Sequence, residues 1–334
     1  MDNPRARLAL LLVLFVGSGV LQPLSISRLG VLGAYERSSL LFLLPNYLGM
    51  SLAGFLHSDL FRIGTFRKGR LAVLCAIDVA SQFLCQYGLT LAGSSLYSIV
   101  YSSATIWIAI ESRLLLQRAL SAGQWVGCLV VVGGLSIAGG NIGSALAADN
   151  ADPYIAVGTL MILIGSMSHA LTWVLVEITL HESDPVLPEA LSLVMGCSGV
   201  GVFGLWQLVY TLPRLEELVL QPMAAHGGHL CEIAITYAVL VVASLVHAVA
   251  FYHLIGGIGC VTAGVMKGCQ ATAVFICSHL LFCSSQQSQC FTTAKAWSLV
   301  LVVVGTTTYA LSKRHAESSQ RATDLDAAAD YIKL

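Results

Sequence analysis

"GCVTAGVMKGCQATAVFICSHLLFC", residues 259–283, is an almost unbroken apolar run that carries Lys267 near its middle and Gln270 one helical turn on. A helix needs about 17–25 such residues to cross the hydrocarbon core of a bilayer. A full charge at the centre of such a helix costs about 2.5–3.5 kcal/mol on insertion scales, so it is seldom turned toward lipid. The stretch therefore predicts a membrane-spanning helix together with a polar volume inside the bundle for Lys267 to face.

The rest of the chain extends that reading. Of 334 residues, 56% are hydrophobic and only 10% are charged, which describes a polytopic membrane protein. A formal net charge of −1 gives no reason to expect a nucleic-acid partner. Ten cysteines lie mostly inside apolar runs, where a free thiol behaves as a small hydrophobe rather than as part of a secreted disulfide framework. Apolar runs long enough to span lie at about 8–27, 38–56, 71–91, 95–116, 123–140, 154–177, 186–211, 233–256, 259–283 and 296–312. Only helices and closed barrels satisfy their backbone hydrogen bonds in lipid, and the alternating pattern of a barrel is missing. The expected fold is all-α, with ten transmembrane helices.

The halves resemble each other. "SRLLL" at 112–116 aligns with "SHLLF" at 278–282, and "WVGCLVVVGGL" from Trp125 aligns with "WSLVLVVVGTT" from Trp297. A five-span unit repeated once must be inverted the second time, which is a known transporter construction with the site at the midplane between the repeats. The expected organisation is a first repeat over 1–140, a linker loop over 141–153, a second repeat over 154–312 and a disordered cytosolic tail over 313–334. With the N-terminus cytosolic, twelve Lys and Arg fall on the cytosolic side and four on the other. That asymmetry predicts that both termini face the cytosol.

Polar residues inside the spans are the candidate site. Asp78, Gln82 and Gln86 recur every fourth residue and form one stripe of a helix. Asp78 suits either proton or cation coupling, or a hydrogen-bonded contact between helices. Tyr97, Tyr101 and Thr105 form a second stripe, able to stack on a ring and hydrogen-bond at the tip, or simply to pack. Tyr101 falls opposite Lys267 across the repeat. His169 and Trp173, with Ser166, mark the sixth span, and His247 the eighth; each His is a pH-sensitive ligand or a bundle histidine. Ser18 and Gln22 share a face of the first span, and Asn46 is a weaker candidate on the second. Glu111 beside Arg113 reads as a local charge pair or gate element. Lys267 itself, with Gln270 on its face, has three readings: contact with an anionic substrate group, an ion pair with Asp78 or Glu111, or a snorkelling side chain.

"HGGHLC" at 226–231 has metal-like spacing but lacks a fourth ligand, so no metal is expected. Cys283 and Cys290 bound a short non-cytosolic loop and could form a disulfide on an oxidising side. No P-loop, dinucleotide glycine pattern or zinc-helix motif occurs, so neither an enzyme nor a cofactor is expected.

"SRLLLQRALSAGQWVGCLVVVGGLSIAGG" (112–140) resembles the end of the first repeat in the drug/metabolite transporter superfamily. The match runs through Ser112, Leu114 to Leu116, Arg118, Leu120, Ser121, Gln124, Trp125, Gly127, Gly133 and Gly134; Ala119 departs from it. "LTLAGSSLYSIVYSSATIWIAI" (89–110) is similar to the solute carrier 35 branch. The resemblance implies two inverted five-helix repeats, with helices 1–4 and 6–9 around a central cavity and helices 5 and 10 at the periphery. It also implies transport of a small solute such as a nucleotide sugar, sugar phosphate or amino acid. In phosphate-handling members a Lys followed by Arg lies on the ninth helix; here Lys267 matches and Gly268 departs. The expectation is a secondary transporter of an anionic or zwitterionic metabolite, working by alternating access in an endomembrane or the plasma membrane. Its partners would be the solute and the lipid bilayer, with a homodimer left open. Export of uncharged or cationic compounds is the sibling alternative, and a non-transporting receptor or scaffold is the alternative of another class.

Overall fold

The computed structural model describes residues 4–56, 68–138, 153–182, 186–284 and 289–332. Among these residues the regular structure is entirely helical. The α-helices of ten residues or more are α1 (Pro4–Val31), α2 (Leu43–Leu52), α3 (Lys68–Ser102), α4 (Ala104–Leu115), α5 (Ala122–Ala138), α6 (Pro153–Leu180), α7 (Pro188–Trp206), α8 (Leu230–Ile258), α9 (Cys260–Phe282) and α10 (Thr293–Ile332). Among the described residues, seven helical stretches are long and apolar enough to cross a membrane: Pro4–Val31, Lys68–Gly93, Tyr154–Leu180, Pro188–Arg214, Leu230–Ile258, Cys260–Phe282 and Thr293–Ala316. Leu43–Leu56 and Ala122–Ala138 are shorter apolar helices. The protein is an all-α, multi-pass membrane protein.

Two elements differ from the sequence reading. The third and fourth predicted spans meet at Gly93, where a backbone at φ 82° and ψ 166° kinks α3 instead of leaving a loop. Only glycine adopts that region readily, so the helix turns a corner within one residue. At the other end of the chain, α10 continues as helix through Ile332, where composition suggested a disordered tail. The extension has no Gly or Pro and carries five Ala among residues 313–332. Such residues hold helical hydrogen bonds without a core to pack on. The expected linker loop lies outside the described residues except at Pro153.

The bundle is assembled from close helix pairs: α3 on α6, α5 on α10, α1 on α8, α2 on both α7 and α8, and α4 on α6, with α9 against α1, α10 and α4. Lipid tails are as apolar as leucine, so small residues that let backbones approach do much of the joining. A Cβ on Gly127 of α5 would lie 2.8 Å from the Gly305 carbonyl of α10, and one on Gly158 of α6 would lie 2.7 Å from the Ala92 nitrogen of α3. The largest apolar core runs through the middle, from Leu74 and Ile108 past Trp173, Val174 and Val176 to Ile255, Cys260 and Val265.

Candidate functional site

A central cavity of about 180 Å³ opens inside the bundle. Its walls come from α1, α2, α3, α6, α7, α8 and α9, and the two charges on them are Asp78 and Lys267. Every lining helix except α7, which supplies Met195, contributes one to three polar side chains. A polar group has to be satisfied inside the bundle because the surrounding lipid offers no partner.

Lys267 is the feature around which the site is arranged. Its Nζ lies 3.3 Å from the Tyr101 hydroxyl and donates to it. The ammonium also lies 5.0 Å from the Trp173 ring centroid and 5.3 Å from that of Tyr101. These distances are those of cation–π contacts, which stabilise a cation without neutralising it. Among the described residues three Arg–carboxylate ion pairs and one His253–Glu189 contact occur, and none involves Lys267. The pairing with Asp78 or Glu111 is therefore not made in this structure.

Asp78 is buried and accepts a hydrogen bond from the Tyr47 hydroxyl at 2.8 Å. Tyr47 is held in turn by α7. It stacks on Phe203 at 5.3 Å, and a Cβ on Gly199 would lie 2.0 Å from its ring. Gly199 is thus the residue that makes room for the phenol beside Asp78.

The histidines are tied into the walls. Trp173 Nε1 donates to His169 Nε2 at 3.2 Å, which places the proton of the neutral ring on Nδ1. That nitrogen lies 3.4 Å from the Gln82 amide, whose oxygen can accept when the amide is turned toward the ring. His247 Nδ1 lies 3.2 Å from both the Phe15 carbonyl and Ser18 Oγ, and its ring stacks on Phe15 at 4.7 Å. A polar chain closes another wall: Gln22 Nε2 donates to Ser244 Oγ at 3.1 Å, and Ser244 donates to Asn46 Oδ1 at 2.8 Å. Aromatic rings continue from Tyr101 to His169, Trp173, Phe251 and Tyr252, with successive centroids 4.6–5.9 Å apart.

The structure brings Lys267, Tyr101, Asp78, Gln82, Gln22, His169, Trp173 and His247 to one cavity. Asn46 lines it as well, and the other predicted residues are elsewhere. Gln270 donates to the Gly19 carbonyl at 2.7 Å and locks α9 to α1. Tyr97 stacks behind Tyr101 at 5.1 Å. Thr105 is buried, 4.0 Å from where a Cβ on Gly264 would stand, and Gln86 is off the cavity wall. Glu111 forms none of the ion pairs among the described residues, and one of its carboxylate oxygens is buried without a hydrogen-bond partner. The sequence reading passed over Tyr47, Ser244, Phe251 and Tyr252, which also line the cavity. Nothing in periodicity separates these from ordinary bundle residues, although the i+4 spacing of Asn46 and Met50 follows the same face as Leu43 and Tyr47. At the opposite rim from Glu111, Cys283 and Cys290 form a disulfide.

No family model matches the sequence, and no curated protein matches it. Twenty-seven chains of solved structures match the fold. One, described only as a crystal structure of a protein, superposes with a TM-score of 0.64 over 90% of this chain and 98% of its own, at 15% identity. At that identity the likeness shows the fold alone.

Proposed function

We propose that the protein is a secondary transporter of a small anionic or zwitterionic solute, a member of the drug/metabolite transporter superfamily built from two inverted five-helix repeats. On this reading α1 to α5 and α6 to α10 are equivalent once α3 is divided at its Gly93 kink, the segment beyond the kink joining α4 as the fourth span, and ten spans cross the membrane. Three observations support the repeat. Gly93 has φ 82° and ψ 166°, and Gly259 has φ 86° and ψ 157°, a backbone state that is rare outside glycine. These glycines are 166 residues apart, the same offset as Tyr101 and Lys267, which meet near the centre. The helix pairings also fit. Advancing each helix by five places exchanges α3–α6 with α8–α1 and returns α2–α7, α4–α9 and α5–α10 to themselves.

The observation that carries the function is Lys267: a cation held between two aromatic rings, facing a cavity, with no carboxylate paired to it. A group of this kind suits a carboxylate or phosphate on a solute. A cationic solute is disfavoured because Asp78 is engaged with Tyr47 and leaves Lys267 uncompensated. The cavity of about 180 Å³ is smaller than the 300–1,000 Å³ usual for ligand sites. A nucleotide sugar would require the walls to part, whereas an amino acid or sugar phosphate requires less movement. No nucleotide-triphosphate motif occurs in the sequence, so the drive is exchange, facilitated diffusion or a coupled proton. The basic residues place both termini in the cytosol on this reading.

Purified protein in proteoliposomes, screened against nucleotide sugars, sugar phosphates and amino acids, tests the proposal. Saturable uptake of one class supports it. A folded protein with no flux for any solute and no solute-dependent thermal stabilisation returns the reading to a receptor or scaffold.

A further inference from the structure

Glu177 is a buried carboxylate that takes no part in the cavity. It is 1% exposed, and both its oxygens are used. Oε1 receives the Arg118 guanidinium, from the connection between α4 and α5. Oε2 accepts from the backbone N–H of Cys260, the first residue of α9, at 2.7 Å. Those first N–H groups have no partner within their own helix and sit at the positive end of its dipole, so a carboxylate there is well placed. The fit around Gly259 is tight: a Cβ would lie 3.2 Å from Glu177 Oε1 and 3.3 Å from Arg118 Nη1, and φ is +86°.

The position matters as much as the bonds. Glu177 is one turn beyond Trp173 on α6, about 6 Å along the axis. Lys267 is two turns into α9 from Cys260, about 10 Å. Glu177 therefore pins together the two helices that carry Trp173 and Lys267, where those helices carry Val174, Cys260 and Val261 of the buried core. Its two bonds differ in kind. The bond to Cys260 joins α6 to α9, both in the second half of the chain. The bond to Arg118 joins the halves. The Arg118 side chain is 53% exposed and can pass into water at little cost, whereas Glu177 would be left as an unpaired buried charge. Arg70–Glu182 also joins the halves at this face, but both side chains are substantially exposed, and such a pair contributes little.

We propose that Glu177 and Arg118 form the latch of a gate, and that the central cavity opens to the face bearing the α4–α5 connection only when Arg118 is released. The inference rests on the alternating-access reading. Release admits water to Glu177, which keeps its bond to the α9 N-terminus, so α6 and α9 move as one body.

Val176 lines the cavity beside the latch and serves as a reporter. Val176→Cys is made in a background lacking the native cysteines, and its reaction with a membrane-impermeant thiol reagent is followed separately from each side of oriented vesicles. Glu177→Gln keeps an acceptor for Cys260 but loses the charge; Arg118→Gln loses the partner while leaving Glu177 intact. Each should raise labelling from the latch face about ten-fold or more, the scale of a lost charge-assisted hydrogen bond. Labelling from the opposite face should fall, because the equilibrium has moved. Arg118→Lys should restore most of the wild-type rates, and Arg70→Gln should change them by less than about two-fold. If Glu177→Gln does not fold, Arg118→Gln, altered at an exposed side chain, carries the test. Unchanged labelling in a well-folded Arg118→Gln protein overturns the latch. So does a rise from both faces, which would mark general loosening. The wild-type flux assay separates the two ideas. A labelling shift without flux keeps the latch and removes transport, whereas flux without a labelling shift removes the latch alone.

Discussion

The Lys267 ammonium and the Tyr101 hydroxyl meet at 3.3 Å across 166 residues of sequence. The contact joins α9 to the segment of α3 beyond its kink at Gly93, and Trp173 of α6 completes the cradle with its ring face. A cation so placed is held but not neutralised.

Lys267→Gln keeps a hydrogen-bond donor and removes the charge. If the ammonium contacts the solute, affinity for transport should fall by about 1.5–3 kcal/mol, or roughly 10- to 150-fold. Protein yield should change little, because no carboxylate loses a partner. Asp78→Asn in the same molecule should give no rescue of yield. Expression and uptake measured for both singles and the double check this; rescue by Asp78→Asn would re-establish the ion pair that this structure lacks.

Tyr47→Phe removes the hydroxyl that serves the buried Asp78. A charged acceptor left without its donor should cost about 1.5–3 kcal/mol, read as a lower thermal unfolding midpoint in detergent. Adding Asp78→Asn should recover part of the loss, since a neutral amide tolerates the site better. A midpoint equal to that of wild type would show that water or another group replaces the phenol.

Gly93 and Gly259 should each resist alanine. Their φ values of +82° and +86° should cost about 1–3 kcal/mol apiece once a Cβ is present. Gly199→Ala should be destabilising for a different reason, a new Cβ only 2.0 Å from the Tyr47 ring. Gly17→Ala, where nothing lies within 4 Å of the new Cβ, is the matched control. Thermal midpoints of the four variants should place Gly17→Ala alone near wild type.

The two faces of the membrane can be assigned with single cysteines in a background lacking the native ones. A thiol at Ser318 should label only from the cytosolic side. One within 141–153 should label only from the other, where the sequence reading also places Cys283 and Cys290, which form a disulfide. In the native chain, alkylation before and after reduction should reveal that disulfide as a mass difference of the 279–295 peptide. Labelling of Ser318 and the loop from one side would reverse the orientation and break the five-plus-five arrangement.

The membrane class was legible in the sequence, because apolar length is a local property: a run such as 233–256 must span or aggregate wherever it is placed. The gathering of Lys267, Tyr101, Asp78, Gln82, His169 and His247 was also largely legible, because an uncompensated polar group in a span has nowhere to go but inward. Periodicity could not say how far inward. Gln270 shares the helical face of Lys267, yet the glycine at position 19 lets α1 approach so closely that its carbonyl captures the amide. Tyr47 reads as one more aromatic in an apolar helix, and only the packing of α2 on α7 at Gly199 turns it toward Asp78. Glu177 sits where the sixth predicted span ends, at a position that reads as interfacial. Its burial depends on Arg118, 59 residues earlier, and on Cys260, 83 residues later. A charge pattern along one helix fixes which way a side chain points; which backbone amide or cation meets it there is settled by the helices that arrive from elsewhere in the chain.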